Sequence, residues 1–141
     1  MGRKGDHMRI TDLLDKNSIC LDASPADKTE ALNQIVSLMG KSGKINDIEA
    51  YRKQVFLREE ESTTGIGEGI AIPHGKCDAV TKPGLAAMVV KDGVDFDSLD
   101  GEPVTLLFLI AAPNTEDNVH LDVLSKLSEL MMDEDFSESN R

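Results

Sequence analysis

The sequence contains little of what marks secreted or membrane-spanning proteins. Only two of its 141 residues are cysteines, and the N-terminus lacks the apolar segment of a signal peptide. We therefore expect Cys20 and Cys77 to be free thiols in a reducing compartment. No apolar run approaches the roughly 20 residues of a membrane-spanning helix. These absences predict a cytoplasmic protein.

Basic side chains are also scarce. The chain has 15 Lys and Arg against 26 Asp and Glu, which gives a formal net charge of -11. An acidic surface repels phosphate backbones, so no nucleic-acid partner is expected. The same charge suits a basic protein partner, but it is also a common means of keeping a protein soluble. Charge alone does not choose between these two interpretations.

What is present is an ordinary globular composition. Hydrophobic residues make up 40% of the chain and charged residues 29%, and 141 residues suffice for one domain with a hydrophobic core. Met1–His7 resembles vector-derived residues, so we assign His7 no role. A single domain is expected over residues 8–141.

Hydrophobic patterning predicts helices that alternate with strands. Asp27 and Glu30 form a helix start signal, and Gly40 and Gly43 end that helix. Its apolar stripe is Ala31, Ile35, Leu38 and Met39. The other expected elements are a helical turn over Ile10–Asp15, strands over Ser18–Leu21, Ile70–Ile72, Leu85–Val90 and Val104–Ala111, and a final helix carrying Leu124, Leu127 and Met131. This alternation favours an α/β fold in which helices cover both faces of a sheet.

A second helix is expected to lead directly to the most distinctive part of the chain. Asn46 and Glu49 mark its start, and Ile48, Tyr51 and Val55 form its inner side. Its C-terminal end would bring Arg58 to the edge of the stretch that follows.

That stretch, Thr63–Lys76, combines three alternate glycines with the sequence Ile-Ala-Ile-Pro-His-Gly. Glycine lets main-chain N–H groups approach a ligand closely. Pro73 has no N–H to donate, so the strand should stop there, and after His74 a loop should run through Pro83 and Gly84. His74 is then a candidate reactive residue, because such residues are often placed where a strand gives way to a loop.

His120 is a second candidate. It lies on the apolar stripe of the final helix, in or near the first turn, where N–H groups and the helix dipole favour an anion. A partly buried histidine that hydrogen-bonds a backbone carbonyl would have the same spacing. The spacing does not separate these alternatives.

Several nucleotide-binding and metal-binding patterns fail on inspection. Residues 40–42, Gly-Lys-Ser, resemble the end of a phosphate-binding loop, but Ile35 stands where its first glycine should be. Gly65, Gly67 and Gly69 lack the dinucleotide-binding spacing and precede a strand where that motif would follow one.

Zinc bound by His74, Cys77 and His120 is possible in principle, but each of these residues has another explanation. Cys77 as a nucleophile lacks any sign of a lowered thiol pKa. We therefore expect no metal and no cofactor.

The chemistry that suits His74 is phosphoryl transfer. A neutral imidazole has a nucleophilic nitrogen that can attack phosphorus, and the bound phosphoryl group then needs positioned donors. His120, Arg58 and backbone N–H groups of the glycine stretch could supply them. The phosphate-binding candidates of that stretch are Thr64, Gly65, Gly67, Glu68 and Gly69. A site for phosphate without a nucleotide pocket suggests a carrier between proteins.

Residues 64–75, TGIGEGIAIPHG, closely resemble the signature of the phosphotransferase-system EIIA domain of the fructose/mannitol class. The likeness extends from about Ile10 to Asp135. It includes Leu-Arg-Glu-Glu before the signature, Asp-Gly-Glu-Pro-Val at 100–104, and His120 followed by leucine. The resemblance implies a mixed β-sheet sandwiched between helices, a three-layer α/β/α fold.

The resemblance also implies roles and partners. His74 would accept phosphate from the phosphocarrier HPr and pass it to a cysteine of an EIIB domain, with a membrane EIIC component as an indirect partner. His120 and Arg58 would stabilise the phosphoryl group, whereas Glu68 occupies a variable position. Relatives usually continue past the equivalent of Phe136, so the last C-terminal helix is expected to be missing.

Two roles remain open within this resemblance. One is a sugar-transport phosphoryl carrier of the fructose type. The other is a regulatory module similar to nitrogen-related EIIA proteins, whose phosphorylation state controls binding to other proteins. A third, the cytoplasmic domain of an anion transporter, would need an attached membrane region. Both of the first two roles use His74.

Overall fold

A central mixed β-sheet organises the chain. The computed structural model describes residues 13–115, 122–123 and 125–127. The strands are β1 (Leu14–Cys20), β2 (Gly65–Gly67), β3 (Ile70–Ala71), β4 (His74–Cys77), β5 (Gly84–Val94) and β6 (Val104–Pro113), and the helices are α1 (Lys28–Gly40) and α2 (Ile48–Glu61). The sheet order is β1-β5-β6-β3-β2, and β4 also pairs with β6.

Strand β6 is the centre of this sheet. It runs antiparallel to β5 on one side and parallel to both β3 and β4 on the other. Strand β1 extends the sheet by pairing in parallel with β5, and β2 pairs antiparallel with β3. A strand with neighbours on both edges and helices on both faces is expected to be almost wholly apolar. The prediction of a strong strand here is confirmed, and the strand continues to Pro113.

Helix α1 begins where its sequence signal places it. The carboxylate of Asp27 accepts the N–H of Glu30 at 2.9 Å, and the Glu30 carboxylate accepts the N–H of Ala26 in return. This reciprocal pair satisfies N–H groups that have no partner within the helix. The helix ends at Gly40, and Gly43 follows with φ 77°. Both predicted boundaries are confirmed.

Helix α2 begins one residue later than predicted. The cap is Asp47, whose carboxylate accepts the N–H of Ala50 at 3.2 Å. Asn46 lies before the cap, since its N–H donates to the carbonyl of Ala79 at 2.8 Å. Tyr51 and Val55 are fully buried, which confirms the inner side of the helix.

Two apolar clusters lie on opposite faces of the sheet. The larger joins α1 and α2 to one face through residues such as Ile35, Tyr51 and Leu107. The smaller consists of Leu13, Ile72, Leu85, Ile110, Val123 and Leu127. Because Val123 and Leu127 are in helical conformation, helices cover both faces. The three-layer α/β/α prediction is confirmed.

Two predicted boundaries are corrected by the strand pairing. Strand β1 starts at Leu14, which pairs with Leu85, so the predicted helical turn over Ile10–Asp15 is wrong for Leu14 and Asp15, whereas Leu13 is helical. Strand β5 continues beyond Val90 to Val94, because Val94 still pairs with Val104 on β6. Residues 10–12, Leu124 and Met131 lie outside the described residues.

Candidate functional site

His74 lies on a strand rather than at the start of a loop. Strand β3 pairs with Leu106 and Leu107, and after an interruption β4 pairs His74 with Ile110 on the same strand. The expected stop before Pro73 is confirmed, but the loop expected after His74 begins only after Cys77, because His74–Cys77 form β4. Pro73 has no N–H, yet its carbonyl accepts the N–H of Ile110 at 3.1 Å and keeps the chain aligned with β6.

The imidazole of His74 has a defined orientation. The ring is half-buried, and its Nδ1 lies 3.2 Å from the carbonyl oxygen of Ile72. A carbonyl oxygen only accepts hydrogen bonds, so this contact requires a proton on Nδ1. In the neutral ring the lone pair is then on Nε2. The geometry therefore favours Nε2 as the nucleophilic nitrogen.

Close packing against α2 holds the backbone beside His74. A Cβ atom on Gly75 would lie 2.9 Å from both Tyr51 Cε1 and Val55 Cγ2, so only glycine fits without displacement. The Tyr51 hydroxyl donates to the carbonyl of Ile110 at 2.7 Å, and Ile110 is the β6 partner of His74. Burial raises the pKa of Tyr51 well above its usual value, so the phenol stays a donor.

The alternate glycines form a tight turn between β2 and β3. Gly67 and Gly69 have φ 107° and 80°, and Glu68 between them has φ 57°. These are left-handed conformations that side chains disfavour. The Asp100 carboxylate accepts the N–H of Glu68 at 2.9 Å and that of Glu102 at 3.0 Å. Those two donors lower the pKa of Asp100.

The main-chain N–H groups of Thr64, Gly65 and Glu68 have partners within the protein. Thr64 donates to Glu59 at 2.7 Å, Gly65 donates to the Thr63 hydroxyl at 3.0 Å, and Glu68 donates to Asp100. In this arrangement these groups stabilise the turn. Phosphate binding by Thr64, Gly65, Gly67, Glu68 and Gly69 stays a prediction.

Glu59 is a buried carboxylate that sequence reasoning missed. It is 8% exposed, and its two oxygens accept the N–H and the hydroxyl of Thr64. Lys28 at the start of α1 lies 2.9 Å from the same carboxylate. The spacing contained a signal, since Glu59 follows Tyr51 and Val55 at intervals of four on the buried side of α2.

The other predicted site residues are only partly placed. Arg58, in the last turn of α2, donates from Nη1 to the Ser62 carbonyl at 3.0 Å. Val55, three residues earlier, packs at Gly75, so Arg58 is one turn further along the helix. His120 lies outside the described residues.

The described residues contain neither a metal-ligand cluster nor a membrane-spanning helix. Across residues 13–115 and the described part of the final helix, no three His, Cys, Asp or Glu side chains cluster as a metal site. Within those same residues, no helix has the length and apolar character needed to cross a membrane.

Comparison with known proteins identifies the family. A family model described as phosphoenolpyruvate-dependent sugar phosphotransferase system, EIIA 2, matches residues 12–139. The chain belongs to this family. The resemblance predicted from the glycine stretch is thereby confirmed, and this EIIA chain is a phosphotransferase component in the general sense of its family.

Relatives of the EIIA chain include a fructose-specific component of the phosphotransferase system. The fructose-specific EIIABC component of Bacillus subtilis is 47% identical over 128 residues, which cover 91% of this chain and 20% of that protein. The chain therefore spans a fifth of the length of this relative.

Solved structures include a regulator and a complex. The nitrogen regulatory protein IIA-Ntr from Neisseria meningitidis superimposes with a TM-score of 0.83 at 31% identity, covering 92% of this chain and 88% of that one. The complex of enzyme IIA and phosphorylated enzyme IIB for mannitol from Escherichia coli contains a chain with a TM-score of 0.74 and 29% identity, covering 87% of this chain and 85% of that one.

Proposed function

We propose that this EIIA chain is a phosphoryl carrier that accepts phosphate on Nε2 of His74 from HPr and passes it to an EIIB cysteine. One observation carries the proposal: the contact between His74 Nδ1 and the Ile72 carbonyl, which leaves the lone pair of the neutral ring on Nε2. Membership of the EIIA 2 family supports the reaction class. The carrier would act in the cytoplasm, with a membrane EIIC component as an indirect partner.

The transfer needs only bond exchange at phosphorus. The Nε2 lone pair of His74 forms the new P–N bond while the bond from phosphorus to the donor nitrogen of HPr breaks and that nitrogen keeps the electron pair. The phosphorylated ring still carries its Nδ1 proton and gains positive charge. The Ile72 carbonyl, 3.2 Å away, is placed to stabilise that proton. In the second half-reaction an EIIB thiolate attacks phosphorus and Nε2 leaves.

Arg58 and His120 are proposed to stabilise the phosphoryl oxygens. A guanidinium suits this role because its planar N–H donors match phosphate oxygens. The contact of Arg58 with the Ser62 carbonyl holds its side chain at the end of α2 that precedes the glycine stretch. His120 is proposed as a donor from the family resemblance.

Fructose uptake is the favoured role, and nitrogen-type regulation is the alternative. The 47% identity to a fructose-specific component supports transport. The TM-score of 0.83 to IIA-Ntr supports regulation, because that structure superimposes over most of both chains. Transfer from the phosphorylated chain to EIIB domains of known sugar specificity would decide. Rapid transfer to a fructose-type EIIB supports uptake, whereas no transfer to any EIIB supports regulation.

Incubation with phosphoenolpyruvate, enzyme I and HPr tests the carrier function. We expect one acid-labile phosphoryl group per chain, bonded to Nε2 of His74, as read by mass spectrometry and by nitrogen–phosphorus coupling in NMR. His74→Ala should take up none, because the nucleophile is removed. His7→Ala is the matched control and should be labelled like the unaltered chain. Labelling of the His74→Ala variant would refute the assignment.

A further inference from the structure

We propose that Glu59 is a positioning residue for His74, which acts through Thr64 and Ile72 to hold the imidazole in the tautomer that exposes a lone pair on Nε2. This inference rests on the proposed function in one respect, that His74 is the phosphoryl acceptor. The position of Glu59 itself follows from its contacts.

Glu59 fixes the first residue of the glycine signature. Its Oε2 accepts the N–H of Thr64 at 2.7 Å, and its Oε1 accepts the Thr64 hydroxyl at 2.6 Å. Thr64 is itself buried, at 4% exposed. Two short bonds from one carboxylate to the backbone and side chain of one residue leave that residue little freedom. The end of α2 therefore determines where Thr64 lies.

Thr64 in turn fixes the residue that orients the imidazole. The carbonyl of Thr64 accepts the N–H of Ile72 at 3.0 Å. Ile72 is 2% exposed and packs in the smaller apolar cluster, and its carbonyl is the one that contacts His74 Nδ1. A displacement of Thr64 would move the Ile72 peptide groups and lengthen the bond to the ring. These contacts transmit the position of Glu59 and not electronic polarisation. The N–H and C=O groups of Thr64 belong to different peptide groups, and so do those of Ile72.

Lys28 provides the counter-charge for the buried Glu59 carboxylate. Its Nζ lies 2.9 Å from Oε2 of Glu59 and 4.8 Å from the centre of the Phe96 ring. Burying a carboxylate without a counter-charge costs free energy, and this ion pair offsets that cost. The carbonyl of Phe96 accepts the hydroxyl of Thr63 at 2.7 Å, which ties the same region to the glycine stretch. The first turn of α1, the end of α2 and the signature thus meet at one carboxylate.

The protein must stabilise the Nδ1–H tautomer of His74, because a free neutral imidazole side chain prefers the Nε2–H tautomer. A ring released from the Ile72 carbonyl would carry its proton mainly on Nε2. That nitrogen would then have no lone pair for attack on phosphorus. Weakening the chain of contacts from Glu59 should therefore slow phosphorylation by lowering the population of the reactive tautomer.

Glu59→Ala tests the proposal, with Glu61→Ala as the matched control. Glu61 is an exposed acid on the same helix, two residues away. We expect Glu59→Ala to shift His74 toward the Nε2–H tautomer in long-range nitrogen–proton NMR spectra of the unphosphorylated protein. The rate of phosphoryl transfer from HPr at saturation should fall about tenfold with little change in KM. Glu61→Ala should match the unaltered chain in both measurements.

Glu59→Gln provides the rescue. Its amide oxygen can accept the Thr64 N–H and its amide nitrogen can donate to the Thr64 hydroxyl. We expect it to restore most of the tautomer population and the rate. If Glu59→Ala does not fold, Thr64→Val carries the test, because it removes the hydroxyl contact and keeps the backbone.

The possible failures are distinguishable. Unchanged tautomer and rate in the folded Glu59→Ala or Thr64→Val variant would overturn the proposal, even if that variant unfolds at lower temperature. Absence of any phosphorylation on the unaltered chain would instead refute the carrier function. The tautomer measurement would still decide the positioning role, since it needs no phosphoryl donor.

Discussion

Gly75→Ala should destabilise the protein because it places a methyl group where α2 meets the strand that bears His74. The new Cβ would lie 2.9 Å from Tyr51 Cε1 and from Val55 Cγ2, and both side chains are fully buried. Forcing an extra carbon into a packed core costs about 1–3 kcal/mol. Tyr51 cannot move aside without weakening its hydrogen bond to the Ile110 carbonyl at 2.7 Å, which adds about 1 kcal/mol. The expected loss is about 2–4 kcal/mol.

Urea unfolding measures this loss. With a slope of about 2 kcal/mol per molar for a small protein, the midpoint should fall by at least roughly 1 M. Combining Gly75→Ala with Val55→Ala should cost less than the sum of the single variants, because the second change removes one of the clashing carbons. A loss below about 0.5 kcal/mol, or strict additivity, would show that the interface yields easily and that the packing argument is wrong.

Two further predictions concern the turn between β2 and β3. Asp100→Asn should lower stability at neutral pH, because the carboxylate whose pKa is lowered by the N–H groups of Glu68 and Glu102 stabilises the fold in its charged form. That stabilisation is present above the ordinary pKa of 3.8 and is lost as the pH falls through the lowered pKa. The urea midpoints of the variant and of the unaltered chain should therefore converge in acid. A difference between the midpoints that stays constant with pH would contradict this. Glu68→Gly should be more stable than Glu68→Ala by about 1 kcal/mol, because φ is 57° at this position and glycine adopts it without a steric cost. Equal thermal midpoints for the two variants would show that the conformation is not strained.

The elements whose signals are local were predictable from the sequence. The start of α1 follows from Asp27 and Glu30, which contact only their neighbours along the chain. Strand β6 was predictable because burial on both faces requires an unbroken apolar run. The likeness of the glycine stretch to a family signature located the candidate site, since a signature depends on residue order alone.

The features that depend on distant residues were not predictable in this way. Strand β4 exists because Ile110, far along the chain, continues the pairing past Pro73. The N-cap of α2 is Asp47 and not Asn46, because the N–H of Asn46 donates to the distant carbonyl of Ala79. The burial of Glu59 had a signal in its spacing from Tyr51 and Val55, but its ion pair with Lys28 joins two helices and has no local signal.

The interruption at Pro73 also limits self-association through the edge of the sheet. Among the described residues, β4 pairs with β6 alone, so its other side is an edge of the sheet. A long, flat edge strand can pair with strands of neighbouring molecules, which promotes aggregation. Here it comprises only four residues, His74–Cys77, and begins directly after a proline that cannot donate. The interruption at Pro73, directly before His74, thus also keeps the edge of β4 too short to act as a template for fibre growth.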